Sequence, residues 1–239
     1  MKCRHPETKS SANFAISQLG ESDLEEINRV EKVTWPADWQ APTEKFRARI
    51  QKFPQGVFGI FENYKLAGVT TSMRISFDLK QIDNYHKTWD EITGDGFITT
   101  HEPNGNTLYV VSVGVQRQSQ GKGYGQLLVA KQFTLGKSLG CEYLMLGARL
   151  PKFSEYLTGQ GVDPDDLAIS ELTQKALVYL NLKRDDGQRQ EPEIRFYERC
   201  GLKVLKLTDP DFGPDPESCN FGVIMFAEIG HSLKPNPTI

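Results

Sequence analysis

The stretch VSVGVQRQSQGKGYGQLLVAKQ, residues 111–132, changes from alternating valines to closely spaced glycines and then to a helical pattern. The run TLYVVSVGV, which overlaps its start, is almost continuously apolar, as is typical of a strand buried on both faces of a sheet. After the glycines, Tyr124, Leu128 and Leu135 recur at helical spacing until Gly140. EYLMLGARL then reads as another strand. The sequence therefore predicts a strand, helix and parallel strand joined by a right-handed crossover.

The glycines at 121, 123 and 125 lie where this strand gives way to the helix. Backbone N–H groups at a helix start have no intrahelical partner, and the helix dipole favours an anion there. Because glycine lacks a β-carbon, a phosphate can approach the backbone closely. We expect a phosphate site, although a turn that only needs positive φ angles would also use glycine. A P-loop is excluded because Gly123, rather than Ser or Thr, follows Lys122, and the glycine spacing departs from the Rossmann fingerprint.

The rest of the chain alternates strands and helices. Residues 12–17 predict a strand, and Ser22 with Glu25 suggests a capping box at the start of a helix. A second helix before Pro54 and an antiparallel hairpin follow, and residues 76–106 read mostly as loop. A helix that ends at Gly201 and two final strands complete the pattern. We expect one domain over residues 1–239, with an insertion at about 151–191.

Composition narrows the function. The net charge of −3 argues against a nucleic-acid partner, because phosphate-backbone binding needs a basic face. The four cysteines are widely spaced and no His stands at metal-ligand spacing, so we expect reduced thiols and no metal. No apolar run is long enough to span a membrane, and no apolar leader is present at the N-terminus. The expected setting is the cytoplasm.

Two separated motifs resemble those of the GNAT superfamily of acyl-CoA-dependent N-acyltransferases. Residues 118–123, QSQGKG, match that family's Arg or Gln, x, x, Gly, x, Gly or Ala after a strand, and residues 196–204, FYERCGLKV, are similar to its Phe-Tyr-x-x-x-Gly-Phe segment with Leu202 replacing the last aromatic residue. The resemblance implies an α/β fold of the α+β type. Its mixed central sheet would have about six to seven strands, with splayed middle strands and flanking helices.

The resemblance also implies that acetyl-CoA or another acyl-CoA lies between the central strand and the next one, with its diphosphate at the glycine turn. The cofactor-binding residues that it assigns are Val113, Gly114, Val115, Gln118, Gln120, Gly121, Lys122, Gly123, Tyr124 and Gly125. Lys122 is explained at least as well as a solvated lysine at a helix start.

Acyl transfer to an amine needs an oxyanion donor, an acid and a base. The resemblance assigns the first role to the Val113 backbone N–H and the second to the Tyr197 hydroxyl. The central strand holds no acidic residue, so the base stays unassigned and a water relay is expected. Ser112 or Tyr109 could position that water, whereas His101 and Glu102 lie in a loop that the sequence does not place.

The acceptor would be a small-molecule or peptide amine. Trp35 and Trp39, between the first two helices, could form its wall or could fill the core, and residues 89–96 are a second candidate rim. The insertion could be a lid over the acceptor, a surface extension or a dimer contact. A non-catalytic acyl-CoA-binding module and a nucleotide-binding regulatory domain remain as alternative functions.

Overall fold

A computed structural model describes residues 14–229 of the chain and contains one seven-stranded mixed sheet. The strands are β1 Phe14–Gln18, β2 Phe58–Glu62, β3 Lys65–Ile75, β4 Thr107–Val115, β5 Tyr143–Arg149, β6 Lys203–Leu207 and β7 Gly222–Glu228. They lie in the order β1-β2-β3-β4-β5-β7-β6, and β4–β5 is the parallel pair. The expected fold class and number of strands are confirmed.

Helices flank this sheet. They are α1 Leu24–Thr34, α2 Thr43–Lys52, α3 Trp89–Thr93, α4 Tyr124–Ser138, α5 Phe153–Thr158, α6 Ile169–Asn181 and α7 Pro192–Arg199. The helix α4 follows the glycine turn as predicted, and α7 stops before Gly201, whose φ of +92° suits only glycine well. Among residues 14–229, no helix is both long and apolar enough to cross a membrane.

The start of the described chain confirms the predicted strand and corrects the predicted cap. The strand β1 contains residues 14–17 of the predicted stretch, whereas residues 12 and 13 lie outside the described range. The capping box of Ser22 and Glu25 is wrong. A short 3-10 turn precedes α1, and the Asp23 carboxylate accepts a hydrogen bond from the Gly20 backbone N–H at 2.8 Å. The Asp23 carboxylate thus caps this turn in place of the predicted pair.

The hairpin β2–β3 closes through the two residues Asn63 and Tyr64, both with positive φ angles. That geometry matches the right-handed twist of the flanking strands. The long segment between β3 and β4 is mostly irregular, as expected, apart from α3 and one 3-10 turn. Cys141 and Cys200 are free and buried, in line with small apolar residues, and Cys3 lies outside the described residues.

The two central strands separate halfway along their length. The strand β4 pairs with β5 only from Thr107 to Val110, while β5 continues along β7 as far as Arg149. On its other edge, β4 shifts register against β3 at Val111, which is the signature of a β-bulge. A bulge bends and twists its strand, so it lets the end of β4 turn away from β5. The expected splay is present.

The segment 151–191 contains α5, α6 and a short turn held by an isolated bridge between Lys183 and Arg189. Its last part is mostly exposed, as its polarity predicts, but Glu191 is buried. The Glu191 carboxylate accepts hydrogen bonds from the Tyr179 hydroxyl at 2.8 Å and from the Glu193 backbone N–H at 3.2 Å. Glu191 is therefore the N-cap of α7.

Candidate active site

A cavity of about 400 Å³ lies at the gap between β4 and β5. The strand β4 contributes Ser112 and Val113, and β5 contributes Gly147 and Arg149. Tyr197 reaches the same cavity from α7. Three residues with predicted catalytic roles thus lie around one space.

The hydrogen-bond pattern of β4 decides where its backbone groups point. The Gln116 N–H donates to the Ala67 carbonyl, and antiparallel pairing alternates between residues that bond the neighbouring strand and residues that face away. By this alternation, the N–H groups of Val113 and Val115 point away from β3 and toward the gap. Such a direction is what an oxyanion donor and a hydrogen-bond partner of a pantetheine arm require, and these roles stay predictions.

Gly121 and Gly123 both have positive φ angles, +76° and +80°. A β-carbon added at either position would meet no described atom within 4 Å, so the space above the turn is open. At Gly125 and Gly114 packing explains the glycine: a β-carbon would come within 3.0 Å of the Phe196 ring at the first and within 3.2 Å of Trp35 at the second. Of these four glycines, only Gly121 and Gly123 thus border space that a ligand could enter.

A carboxylate that was not predicted from the sequence holds the glycine turn. Glu62, at the end of β2, accepts hydrogen bonds from Lys122 at 2.6 Å, Ser119 at 2.9 Å and the Tyr124 hydroxyl at 3.0 Å. These bonds, that from Lys122 first, lower the pKa of Glu62, so the carboxylate stays ionised. Lys122 and Tyr124 therefore support the turn from within the protein, and any phosphate contact of Lys122 remains a prediction.

Gln118 and Gln120 are exposed at the same turn. The Gln120 side-chain amide donates to the Val115 carbonyl at 3.0 Å, which ties the turn to the end of β4. Their predicted contact with a cofactor is not tested by this arrangement.

Tyr197 is buried, and its hydroxyl makes no hydrogen bond to any described residue. Burial raises its pKa well above the ordinary value, with a further rise from the nearby Glu193 carboxylate. The phenol therefore keeps its proton at any physiological pH. It can donate a hydrogen bond into the cavity.

Glu193 also lines the cavity, one helical turn before Tyr197, and was not predicted from the sequence. One of its carboxylate oxygens accepts the Arg149 backbone N–H at 2.9 Å, and the other makes no hydrogen bond within the described part of the chain. Burial raises its pKa to about 7. The spacing of four residues from Tyr197 on a predicted helix was the available signal, because such residues share a face.

Of the residues that the sequence offered for positioning water, only one reaches the cavity. Ser112 lines the cavity, whereas Tyr109 is fully buried beside it and is not part of the wall. His101 accepts the Arg74 backbone N–H at 3.0 Å and stacks on Phe53, so its role is structural.

Trp35, Trp39 and Trp89 all line the cavity, as one of the two interpretations of the sequence expected. The Trp39 ring stacks on the Arg149 guanidinium, with 3.7 Å between the ring centroid and Cζ. That guanidinium forms an ion pair with Asp215, with 2.8 Å between Nε and Oδ2. Arg149 thus joins the α1–α2 connection to the β6–β7 loop across the end of β5. The β6–β7 loop, with Phe212 and Asp215, is a wall that the sequence did not predict.

The insertion does not contribute to this site. Of the residues that the structure describes, none between 151 and 191 lines the cavity. Residues 14–229 contain no group of three potential metal ligands among His, Cys, Asp and Glu. The structure therefore gives the predicted lid no support.

Comparison with known proteins gives consistent results. The model of the "Acetyltransferase (GNAT) family" matches residues 23–153, more than half of the chain. An "Uncharacterized N-acetyltransferase YkwB" of Bacillus subtilis (strain 168) is 25% identical over 216 residues, which cover 89% of this chain and 87% of that protein.

Two solved structures share the fold at low sequence identity. The loading GNATL domain of CurA from Lyngbya majuscula is 22% identical with a TM-score of 0.74, covering 92% of this chain and all of that one. The GphF GNAT-like decarboxylase in complex with isobutyryl-CoA is 19% identical with a TM-score of 0.71, covering 90% of this chain and 99% of that one. With the glycine turn, the splayed strands and the match over more than half its length, this chain belongs to the GNAT family of acetyltransferases.

Proposed function

We propose that the protein transfers an acyl group, most simply acetyl, from acyl-CoA to an amine in a ternary complex. The observation that carries this proposal is one cavity between splayed strands, with an open glycine turn at the end of β4 and an acid–base pair on α7. The diphosphate of CoA would bind the amides of residues 120–125, and the pantetheine arm would pair with Val113 and Val115. No metal is required.

The reaction can be followed through the residues of this chain. The amine nitrogen attacks the thioester carbonyl carbon, and the negative charge that develops on the carbonyl oxygen is stabilised by the Val113 N–H. Before this attack, Glu193 removes one proton from the ammonium group, because an ammonium has no lone pair, and later releases that proton to solvent. The carbon–sulphur bond then breaks, and Tyr197 donates a proton to the departing thiolate. The Tyr197 phenolate is reprotonated by the second proton that the nitrogen loses as the amide forms. The products are an amide and CoA.

Glu193 suits the role of general base better than the water relay that the sequence suggested. A base with a pKa near the working pH combines a large deprotonated fraction with a strong tendency to take up a proton. Its pKa of about 7 meets that condition, and one of its oxygens is unoccupied by described residues. Ser112 is then free for another role.

A second candidate is decarboxylation of a carboxylated acyl-CoA. It is favoured by the fold similarity to GphF, a decarboxylase. It is also favoured by β4, which presents the Ser112 hydroxyl to the cavity and contains no acidic residue that could act as a base for an amine. The non-catalytic acyl-CoA-binding module is disfavoured by the Glu193 and Tyr197 pair, which such a module would not need.

Release of free thiol from acetyl-CoA, measured across a panel of amines, tests the proposal. We expect release that depends on one class of amine. In parallel, malonyl-CoA without any amine is assayed for acetyl-CoA formation, which would support the decarboxylase instead. Binding of CoA without turnover of either substrate would support the non-catalytic module, and tighter binding of ATP or NAD than of CoA would rule out both enzymes.

A further inference from the structure

Behind the Ser112 side chain lies a buried group of polar atoms that the proposed mechanism does not use. The Ser112 and Thr71 hydroxyl oxygens are 2.8 Å apart, across the β3–β4 pair. The Arg49 guanidinium donates to both, at 3.5 Å and 3.3 Å, and its Nε donates to the Gly96 carbonyl at 2.8 Å. A helix and two strands thus meet at one hydroxyl on the cavity wall.

The protons of this group can be assigned from burial. A guanidinium only donates, so both hydroxyl oxygens accept from Arg49. Thr71 is completely buried, and the only described acceptor for its own proton is the Ser112 oxygen. Because a buried donor without a partner costs free energy, Thr71 donates to Ser112. The Ser112 oxygen then accepts two hydrogen bonds, and its own proton is directed into the cavity.

The charge behind this donor is positive. Arg49 is 1% exposed, and no described carboxylate lies within 4.0 Å of it as an ion pair. Glu31 is the carboxylate that interacts with it at longer range, but that carboxylate is held by the Ala41 N–H at 2.9 Å. Burial lowers the pKa of Arg49 to about 10, so the guanidinium remains charged at neutral pH.

Two other cations, Arg149 and Lys45, lie on the cavity wall among the described residues. Arg149 is paired with Asp215 and Glu217, and the Lys45 ammonium lies over the Phe97 ring at 5.6 Å from its centroid. Asp38 and Asp90 are exposed, on the same wall, and would attract an ammonium group. A buried cation without a direct ion pair is costly, and because Glu31 acts on Arg49 only at longer range, an anionic group of a substrate would supply a closer counter-charge.

We infer that Ser112, oriented by Thr71 and Arg49, binds a carboxylate group of the substrate. This inference rests on the proposed function, because it assigns the chemical class of the molecule that fills the cavity. The carboxylate would accept the Ser112 hydroxyl proton and would lie in the field of the guanidinium behind it. It belongs either to the acyl group, as in a dicarboxylic acyl thioester, or to the amine, as in an amino acid.

The test measures binding with probe pairs that differ by a carboxylate. Malonyl-CoA is compared with acetyl-CoA, and L-phenylalanine is compared with 2-phenylethylamine in the presence of saturating CoA, all by titration calorimetry. Wild type should bind the carboxylated member of one pair at least about tenfold more tightly, the range of a charge-assisted hydrogen bond. The pair that discriminates identifies the source of the carboxylate.

Ser112→Ala should reduce that preference to within about threefold while the affinity for CoA alone stays at the wild-type value. Thr71→Val, which releases the orientation of Ser112, should reduce it partly. Thr70→Val is the matched control: it removes an equally buried threonine hydroxyl from the next position of β3, bonded to the Ser112 carbonyl and to Gln132 rather than to this group. It should keep the preference.

Two results would overturn the inference. One is a wild-type protein that discriminates in neither pair, and the other is a preference that survives in Ser112→Ala. If Ser112→Ala lowered turnover equally for every acyl-CoA and wild type showed no preference for a carboxylated probe, the inference would also be overturned. Failure of the proposed function is separable, because it would show as the absence of amine-dependent thiol release from acetyl-CoA, whereas the inference is tested by binding alone.

Discussion

At the scale of single residues, the proposed chemistry depends on two side chains of α7. Tyr197 was identifiable from the sequence because it belongs to a motif. For Glu193 the sequence offered only its spacing of four residues from Tyr197, a weak signal, since a glutamate in the first turn of a helix is well explained by the helix dipole alone. Only the packing of α7 against β5 directs this carboxylate to the cavity, and burial then moves its pKa to about 7.

Replacing Tyr197 by Phe removes one hydroxyl and little volume. We expect turnover to fall by roughly ten- to a thousandfold, around the effect of a positioned acid, with nearly unchanged affinity for acyl-CoA. Tyr156→Phe is a matched control, because that phenol lies on α5 outside the cavity. Turnover of Tyr197→Phe within about twofold of wild type would make Tyr197 a packing residue.

Glu193→Gln tests the base through its pH dependence. A base acts as the carboxylate, and the raised pKa keeps Glu193 protonated below about 7. In wild type, kcat/KM should therefore rise about tenfold per pH unit below that value and level off above it. The variant should lose roughly a hundredfold or more at pH 8 and should lose this inflection.

Glu198→Gln, on the same helix but outside the cavity, should keep the wild-type profile. An inflection near pH 7 that persists in Glu193→Gln would show that another group is the base.

At the scale of elements, the glycine turn and the bulge in β4 create the site together. The turn is open because Gly121 and Gly123 adopt positive φ angles, and the gap exists because β4 shifts register at Val111. Glu62 fixes the turn to the hairpin through Ser119, Lys122 and Tyr124.

Replacing Gly123 by Val should weaken CoA binding by at least about tenfold, because a β-branched side chain would enter the open space and strain the turn. Gly140→Val is the control for strain: Gly140 also has a positive φ, +68°, and a β-carbon added there would meet no described atom within 4 Å, but it lies at the other end of α4. Both variants should lose similar stability in thermal unfolding. Unchanged CoA affinity in a folded Gly123→Val would rule out the predicted phosphate site.

The sequence predicted these elements better than their details. Apolar periodicity and turn residues define the order of strands and helices, because they are local properties. The bulge at Val111 depends on how β3 and β4 pair. The hydrogen bonds from the glycine turn to Glu62 join residues about sixty positions apart. The cap by Asp23 was missed because Ser22, its neighbour, satisfied the same local rule. Tertiary contacts decided the bulge and the Glu62 contacts, whereas the cap was a choice between two local acceptors.

At the scale of the molecule, the cavity joins segments that are distant in the chain: the α1–α2 connection, the gap between β4 and β5, α7 and the β6–β7 loop. Arg149 connects three of them through Trp39 and Asp215. The walls of the site were therefore the least predictable part. The insertion, for which a lid was one of the interpretations of the sequence, does not line the cavity with any described residue.

Replacing residues 184–188 by a Gly-Ser segment of equal length tests the position of the insertion. The bridge residues Lys183 and Arg189 and the cap Glu191 are retained, so α7 should remain in place. We expect the KM values for the amine and for acetyl-CoA to stay within about twofold of wild type, because exposed turn tips tolerate change. A raised KM for the amine, or faster hydrolysis of acetyl-CoA, would instead support a lid role for the insertion.

The central claim is that acyl-CoA lies in the gap between β4 and β5. A crystal structure with bound acetyl-CoA tests it most directly. We predict diphosphate oxygens within hydrogen-bond distance, about 3.2 Å or less, of the backbone nitrogens of residues 120–125, and a thioester carbonyl oxygen on the Val113 nitrogen. A diphosphate bound away from the glycine turn, or a thioester outside the gap, would contradict it.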